Sequence, residues 1–435
     1  MPTNIASKIY GGKGVHAYAV VTYIFFLALI LQNSIAFSVK ALGLELPVSV
    51  IYVFKDIVLL GMVGLLLMTK VVFKFSRFDQ VALLILLYLV VFALVKGSGL
   101  NDMIMQLRFY LVPILLYFIG RNMSPFLREA DLIRFILVIS SAYVLVSLVF
   151  ILIDREVLLQ MGLGQLLSEK LGHFGREDAV MGGLPINFYF YHTNGELTNR
   201  AFGANFDPLS SAFLGGCLFF YLFEICKRTT SKLARVLTIC VGLIVVLTLT
   251  RAIIIGMLLA LAVYQFKKRR LRWFSVFMLA LTLLVAIVSY NMSYIQDSLD
   301  PSTKAHLSAY SDLDESAVVT ENEDVKDKVR GAESLYLTVI QEYGIGLFLL
   351  YAVWLLMVYR FLRKHYCSPY TYATVAAMFV YLLASLTTEH WFSFTSGALF
   401  WFLLGNNLTA IQGGVSENKI KLIRKVILPV SEKNA

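Results

Sequence analysis

The sequence predicts an all-α polytopic membrane protein with about twelve transmembrane helices, folded as one integral membrane domain over residues 1–435. Of its residues, 58% are hydrophobic and only 15% are charged, whereas soluble proteins average roughly 25% charged. Apolar windows of the length that spans a bilayer recur along the chain. The net charge of +10 does not indicate a nucleic-acid partner, because the basic residues are distributed as in a membrane topology.

The windows predict the positions of the spans, and the first is long enough to remain as a span rather than a cleaved signal. The twelve predicted spans are 16–34, 47–69, 79–96, 104–120, 132–153, 206–226, 233–250, 252–266, 273–290, 333–359, 370–387 and 391–411.

The basic residues predict the orientation. With a cytoplasmic N-terminus and alternating spans, 25 of the 38 lysines and arginines lie in or beside the segments assigned to the inside. These segments include "KKRRLR" at 267–272 and "KIKLIRK" at 419–425. Because an excess of Lys and Arg marks cytoplasmic loops, both termini are predicted to face the cytoplasm of a bacterial inner membrane.

A hairpin is predicted where one arginine interrupts a long apolar stretch. Arg251 is the only charged residue in 236–266, which as one helix would extend about 46 Å. That length exceeds one crossing of a core roughly 30 Å thick. The sequence therefore places Arg251 at the extracytoplasmic tip of a tight helical hairpin.

Two extracytoplasmic loops are long, 154–205 and 291–332. Loops beyond about 15 residues are usually functional or disordered. Leucines in 156–175 predict an amphipathic helix on the membrane surface, and the second loop has nine acidic residues against four basic ones.

Five arginines are assigned to this outer face from segments far apart in sequence: Arg108, Arg176, Arg200, Arg251 and Arg330. A guanidinium donates two parallel hydrogen bonds to a phosphate, so the set predicts a phosphate or diphosphate site. For any one of them, a membrane-boundary anchor or a structural ion pair is the alternative.

Several outer residues are candidates for proton transfer. Glu333 opens the tenth predicted span, although an acid there also favours the helix dipole. His192 in "FYFYHTNGE" and His390 in "TTEHWF" are lone histidines, for which a structural role is favoured. Asp207 precedes Pro208 at a helix start, where capping is the simpler role.

Three charges are predicted inside spans. Lys55 and Asp56 are adjacent, so they cannot face each other on a helix, and each is expected to pair with another helix. Glu342 is expected to lie deeper than Glu333, with a structural partner.

No nucleotide-binding or metal-binding motif is found in the sequence, and the cytoplasmic loops are too short for a catalytic domain. Any reaction is therefore expected at the outer face, with a donor that is already activated and with no cofactor or metal.

The layout resembles the superfamily of O-antigen polymerases and ligases. The similar pieces are "LTLTRA" at the hairpin tip, "RAFGANFDPLSSAFL" at a mid-chain span, and "GAESLYLTVIQEYGIGLFLLY" after the large loop. The resemblance implies an all-helical type-C glycosyltransferase that acts on glycans linked to undecaprenyl diphosphate. It also implies that Arg200, Arg251 and Arg330 bind the diphosphate.

Ligases of this superfamily typically have a histidine close to the late helix, whereas the corresponding stretch here is "AESLY". This departure favours a Wzy-type polymerase that joins lipid-linked repeat units into a surface polysaccharide, with membrane lipid and a chain-length regulator as further partners. The predicted base is Glu333, followed by His192 and Asp207. A ligase, a transporter that uses the intramembrane charges, and an envelope scaffold are the alternatives.

Overall fold

The computed structural model describes residues 3–44, 47–68, 75–96, 100–124, 129–171, 180–181, 184–185, 188–191, 197–265, 334–366, 370–388 and 390–427. Within them the α-helices are α1 (Thr3–Ala41), α2 (Val48–Met68), α3 (Arg77–Lys96), α4 (Leu100–Met123), α5 (Glu129–Leu152), α6 (Arg155–Gln160), α7 (Leu163–Leu171), α8 (Pro208–Arg228), α9 (Lys232–Leu247), α10 (Arg251–Gln265), α11 (Leu335–Lys364), α12 (Thr371–Ala384) and α13 (Ala398–Ile427).

Short antiparallel strands lie between α7 and α8. Strand β1 (Val180–Met181) pairs with β2 (Leu184–Pro185), and β3 (Tyr189–Tyr191) pairs with β4 (Leu197–Asn199).

Among the described residues, five helical stretches are long and apolar enough to cross a membrane: Val20–Ala41, Arg77–Val95, Glu129–Leu152, Pro208–Arg228 and Glu342–Lys364. Two shorter apolar helices are Arg251–Ala262 and Thr371–Ala384. Large apolar side chains such as Leu60, Leu94 and Ile239 are more than half exposed on the outer faces of their helices, as expected for helices against lipid. The all-α membrane class is confirmed, whereas the number of twelve spans stays a prediction. The predicted span 273–290 and the loop 291–332 lie outside the described residues.

The predicted break beside Arg251 is confirmed, whereas the extracytoplasmic position of this turn stays a prediction. Helices α9 and α10 are separate, and residues 248–250 join them, with Leu249 in the left-handed region at φ 51°. Arg251 is the first residue of α10 and is exposed.

Helix α11 is broken at Gly344, which has φ 78° and ψ 168°. Glycine tolerates this conformation because it lacks a Cβ. The ring of Tyr336, before the break, lies 6.0 Å from that of Phe348 after it. In a straight helix these residues would be about 18 Å apart along the axis, so the chain bends sharply. The membrane-crossing stretch therefore starts at Glu342 rather than at the predicted residue 333.

Helices α4 and α13 pack at backbone contact. A Cβ at Gly405 would fall on the carbonyl oxygen of Tyr117, and one at Gly120 would fall on that of Phe402. Small residues allow such close approach between membrane helices. Trp401 of α13 stacks on Trp354 at 5.4 Å beside this contact.

Ion pairs join several helices at the end of the bundle that the sequence assigns to the cytoplasm. Arg121 donates to Asp79 at 2.7 Å, with both side chains fully buried, and to Gln412 at 3.0 Å. Arg228 lies 3.8 Å from Glu129. These contacts join the ends of α3, α4, α5 and α8 to the middle of α13, and we call this the basic end.

The first long loop differs from its expected form. Helices α6 and α7 contribute four buried leucines to an apolar cluster that is separate from the main core: Leu158, Leu163, Leu166 and Leu167. Phe37, Phe150, Phe202 and Phe206 belong to the same cluster. The apolar side of this segment is therefore covered by the chain itself, rather than lying open on a membrane surface.

Candidate functional site

The candidate site lies at the end of the bundle opposite to the basic end, where α8, α10 and α12 converge. A Cβ at Gly216 of α8 would meet Ile253 of α10 at 3.5 Å, and one at Gly256 of α10 would meet Val380 of α12 at 3.3 Å. The ring of Phe213 in α8 lies 4.9 Å from that of Tyr381 in α12. This packing brings together the start of α8, the start of α10 and the segment that follows α12.

Asp207 is the N-cap of α8, as its position before Pro208 predicts. Its carboxylate accepts hydrogen bonds from the amides of Leu209 at 3.4 Å and Ser210 at 2.8 Å. The oxygen that accepts from Ser210, Oδ2, also lies 3.0 Å from Nε2 of His390. Burial raises the pKa of Asp207, but His390 and the hydrogen bonds from Ser210 outweigh burial and hold the pKa well below its ordinary value.

His390 is held by the short segment that joins α12 to α13. Its ring stacks on Phe213 with centroids 6.1 Å apart, and its carbonyl accepts a hydrogen bond from Ser396 at 2.5 Å. Further aromatic rings of the segment are anchored on other helices: Trp391 on Trp401 at 5.1 Å, Phe392 on Tyr110 at 5.7 Å, and Phe394 on Phe25 at 5.7 Å. Because neighbouring rings are fixed in this way, the position of the imidazole is fixed by packing.

A histidine held by a carboxylate is an arrangement suited to proton transfer. The carboxylate fixes the tautomer that carries hydrogen on Nε2 and stabilises the imidazolium once a proton arrives. The hydrogen position is assigned from the hydrogen bond. In that tautomer Nδ1 carries the lone pair that can accept a proton, and in the structure this atom is buried.

Arg200 closes the hairpin tip. Its Nε donates to the carbonyl of Thr248 at 2.7 Å, and one of its terminal nitrogens donates to the hydroxyl of Thr250 at 2.8 Å. Its own carbonyl accepts from Arg155 at 3.1 Å. The structure thus brings Arg200 next to the residue that precedes Arg251, and much of the guanidinium of Arg200 is used to hold the tip.

Arg108 belongs to a different part of the same end. Its Nη2 atom donates to both carboxylate oxygens of Asp56, at 2.8 and 2.9 Å. The expectation that Asp56 pairs with another helix is confirmed. Lys55 donates to the carbonyl of Tyr52 in its own helix at 2.9 Å and lies over the ring of Phe394 at 5.7 Å. Helix α4 packs mainly on α13, α3 and α2, whereas α10 packs on α12 and α8, so among the described site arginines Arg108 belongs to a different group of helices from Arg251.

Glu342 accepts a hydrogen bond from the hydroxyl of Tyr110 at 3.1 Å. This is the structural partner that its position predicts. The break at Gly344 places it at the start of the membrane-crossing stretch rather than deep within a span.

Four predicted site residues lie outside the described residues: Arg176, His192, Arg330 and Glu333. Ser334, where the description resumes, is fully buried, and its hydroxyl donates to the carbonyl of Ser385 at 3.3 Å. The amide of Leu335 donates to the same carbonyl at 3.2 Å. The chain therefore enters α11 beside the end of α12.

Sequence reasoning missed the Asp207–His390 pair, because the two residues are far apart in the chain and each has a simpler local role. The only available signal was that both lie in short polar segments at helix ends assigned to the outer face. In the described part of the chain, no group of three or more His, Cys, Asp or Glu residues is arranged to hold a metal ion.

No family model, curated protein or solved structure matches the chain, so the residues themselves carry the functional interpretation.

Proposed function

We propose that the protein is a membrane-embedded glycosyltransferase that polymerises undecaprenyl-diphosphate-linked repeat units into a surface polysaccharide, at the outer face of a bacterial cytoplasmic membrane. The observation that carries the proposal is the Asp207–His390 pair, with a separation of 3.0 Å, at the bundle end where Arg251 also begins α10. A base and a guanidinium at one membrane boundary suit transfer from a lipid diphosphate to a hydroxyl.

The reaction assigns one task to each group. Nδ1 of His390 is buried in the structure, so the acceptor must first open access to it. Nδ1 then takes the proton from a sugar hydroxyl of the acceptor, and that oxygen forms a bond to the anomeric carbon of the donor. The bond from this carbon to the diphosphate breaks, and undecaprenyl diphosphate leaves with the electron pair. Arg251 stabilises the charge that develops on the leaving group, while Arg200 holds the tip that presents Arg251.

The base is tested with a matched pair of histidines. Purified protein in nanodiscs receives lipid-linked repeat units, and product is measured for His390→Gln and His365→Gln. His365 lies in the turn after α11, at the basic end, where its Nδ1 is 2.9 Å from the carbonyl of Phe361. Loss of a general base reduces turnover by about 10²–10⁴, so His390→Gln should lose product and His365→Gln should not.

Glu333→Gln and His192→Gln in the same assay compare the two other predicted bases. Normal turnover of His390→Gln together with an inactive Glu333→Gln would assign the base to Glu333 and refute the role of His390.

The diphosphate site is tested at the two ends of one hairpin. Arg251→Ala should abolish product at normal protein levels. Arg251→Lys should be impaired because an ammonium group cannot donate the two parallel hydrogen bonds of a guanidinium. Arg235→Ala, an exposed arginine near the start of α9, is the control. Product formation should survive EDTA, because arginine replaces the divalent cation. An active Arg251→Ala variant would remove this site.

One observation favours a transporter as the second candidate. Broken helices often form transport sites, and α11 is broken at Gly344, two residues from Glu342, although this break lies at the start of the membrane-crossing stretch rather than near its middle. A transporter moves the lipid-linked unit without lengthening it, so product analysis decides. Elongated glycan supports the polymerase, glycan moved onto a lipid A core acceptor supports a ligase, and unmodified glycan on the opposite leaflet supports transport.

A further inference from the structure

The pair formed by Arg108 and Asp56 leaves one side of the guanidinium open. In a bidentate pair of arginine and carboxylate, two nitrogens each donate to a different oxygen. Here the single atom Nη2 donates to both oxygens of Asp56. Among the described residues, Nε and Nη1 of Arg108 donate no hydrogen bond. The Arg108 side chain is 36% exposed, so donors on this side are accessible.

A second cation lies close by. Nζ of Lys55 and Cζ of Arg108 lie 5.7 and 5.5 Å from the centre of the same ring, that of Phe394. Lys55 itself is only 7% exposed. Lys55, Asp56 and Arg108 thus contribute two positive charges and one negative charge to one small region, a balance that favours an anion.

The surroundings indicate an anion that belongs to a lipid. Helix α2 has a stripe of exposed apolar side chains at intervals of three and four residues, Val50, Val53, Ile57 and Leu60. Such spacing forms one face of a helix, and the stripe extends about 15 Å along α2. Ile57 and Leu60 follow Asp56 on this face, so a hydrocarbon tail lying along them would have its head group close to Arg108.

The position relates this cluster to the proposed reaction. His390 and Phe394 are two ends of one five-residue segment, with the Asp207 site at the first residue and the Arg108 cluster at the last. Joining two lipid-linked units requires two diphosphates at one membrane face, one on the donor and one on the acceptor.

We infer that Arg108 binds the diphosphate of a second lipid-linked glycan, between α2 and α4, while Arg251 binds that of the first. The inference rests on the proposed function. The lipid approaches along the apolar stripe of α2, and the open side of the guanidinium binds its phosphate oxygens. Asp56 holds Arg108 in place from the opposite side.

Stoichiometry provides the test. The number of undecaprenyl diphosphate molecules bound to the full-length protein is counted by native mass spectrometry from detergent, and the affinities are measured by titration. Wild-type protein should bind two molecules. Arg108→Gln and Arg251→Gln should each bind one, and the double variant none. Loss of two charge-assisted hydrogen bonds should weaken the affected site by at least tenfold.

Two further variants separate a binding role from a structural one. In Asp56→Asn the amide oxygen can still accept from Arg108, but the negative charge that repels a bound phosphate is gone. The Arg108-dependent site should therefore bind about tenfold more tightly, whereas a purely structural ion pair predicts weaker binding and a lower melting temperature. Arg134→Gln removes an exposed arginine that lies 3.9 Å from Asp131 in α5 and should still bind two molecules.

Competitors identify the source of the anion. Inorganic diphosphate and phosphatidylglycerol should each displace the lipid from the Arg108-dependent site at least tenfold less effectively than undecaprenyl diphosphate. Equal displacement by phosphatidylglycerol would assign the site to ordinary anionic lipid, and equal displacement by inorganic diphosphate would remove the role of the tail. Either result overturns the inference, as does an Arg108→Gln variant that still binds two molecules. An Arg251→Gln variant that binds two, with Arg108→Gln binding one, would instead contradict the donor site of the proposed function.

Discussion

Replacing Asp207 by asparagine separates the two roles that its carboxylate has in the structure. As the N-cap of α8 it accepts amide hydrogen bonds from Leu209 and Ser210, and as the partner of His390 it stabilises an imidazolium. Asparagine caps helices about as well as aspartate but carries no charge. Asp207→Asn therefore preserves the first role and removes the electrostatic part of the second.

The magnitude follows from the distance. Unit charges 3.0 Å apart interact by about 5.5 kcal/mol at an effective dielectric constant of about 20. The side chains of His390 and Asp207 are 21% and 15% exposed, so the net value is smaller, and we take about 3 kcal/mol, the upper end for a hydrogen bond to a charged group. At roughly 1.4 kcal/mol per factor of ten in rate, Asp207→Asn should lower turnover by about two orders of magnitude.

The assay measures turnover and stability on the same preparations. Product formation from lipid-linked repeat units in nanodiscs should fall about a hundredfold for Asp207→Asn. Its melting temperature should lie below that of the wild type, because the charge is lost, and above that of Asp207→Ala, because the cap is kept. Asp207→Ala should show a comparable loss of turnover and, in addition, the loss of a cap, about 1 kcal/mol of unfolding free energy. Turnover of Asp207→Asn within threefold of wild type, with Asp207→Ala unstable, would show that Asp207 only caps the helix.

Three further predictions concern pH, packing and topology. The folded-state pKa of Asp207 is depressed relative to about 3.9 in an unfolded chain. Its carboxylate therefore stabilises the fold above pH about 4. This contribution is lost as the pH falls toward the folded-state pKa. The melting-temperature difference between wild type and Asp207→Asn should therefore shrink when measured at successively lower pH below 4. Gly405→Ala places a Cβ on a carbonyl oxygen of α4, whereas a Cβ at Gly61 meets nothing within 4 Å. The melting temperature should therefore be several degrees lower for Gly405→Ala than for Gly61→Ala. Equal melting temperatures would contradict the α4–α13 contact. A cysteine at Ser168 should react with an impermeant reagent on intact cells and one at Lys421 should not; the reverse pattern would invert the topology.

Features that depend on local chemistry were predictable from the sequence. The hairpin follows from the length of the apolar stretch and its single charge at Arg251, and the cap follows from Asp207 preceding Pro208. The need of Asp56 for a partner on another helix follows from the cost of a charge in a span, although the sequence does not identify Arg108 as that partner.

Features that depend on contacts distant in sequence were not predictable. No local pattern pairs Asp207 with His390, since the packing of α8 on α12 brings them together. The break at Gly344 was not predicted, because a single glycine is tolerated within a helical pattern. Arg200 illustrates a different difficulty. Its charge predicts that it binds an anionic ligand, whereas its hydrogen bonds to Thr248 and Thr250 hold the turn between α9 and α10.

The contacts at the two bundle ends connect the topology to the proposed chemistry. Helix α13 begins just after the segment that holds His390 and reaches Gln412 at the buried Arg121–Asp79 pair, so His390 and the C-terminal residues lie at opposite ends of one helix. If the C-terminal lysines are cytoplasmic, as their charge predicts, His390 and Asp207 must face the other side. There no nucleotide-sugar donor is supplied, and a lipid diphosphate remains as the activated donor. If the topology were inverted, the same pair of residues would meet cytoplasmic nucleotide sugars, and the argument for a polyprenyl diphosphate substrate would fail together with the orientation.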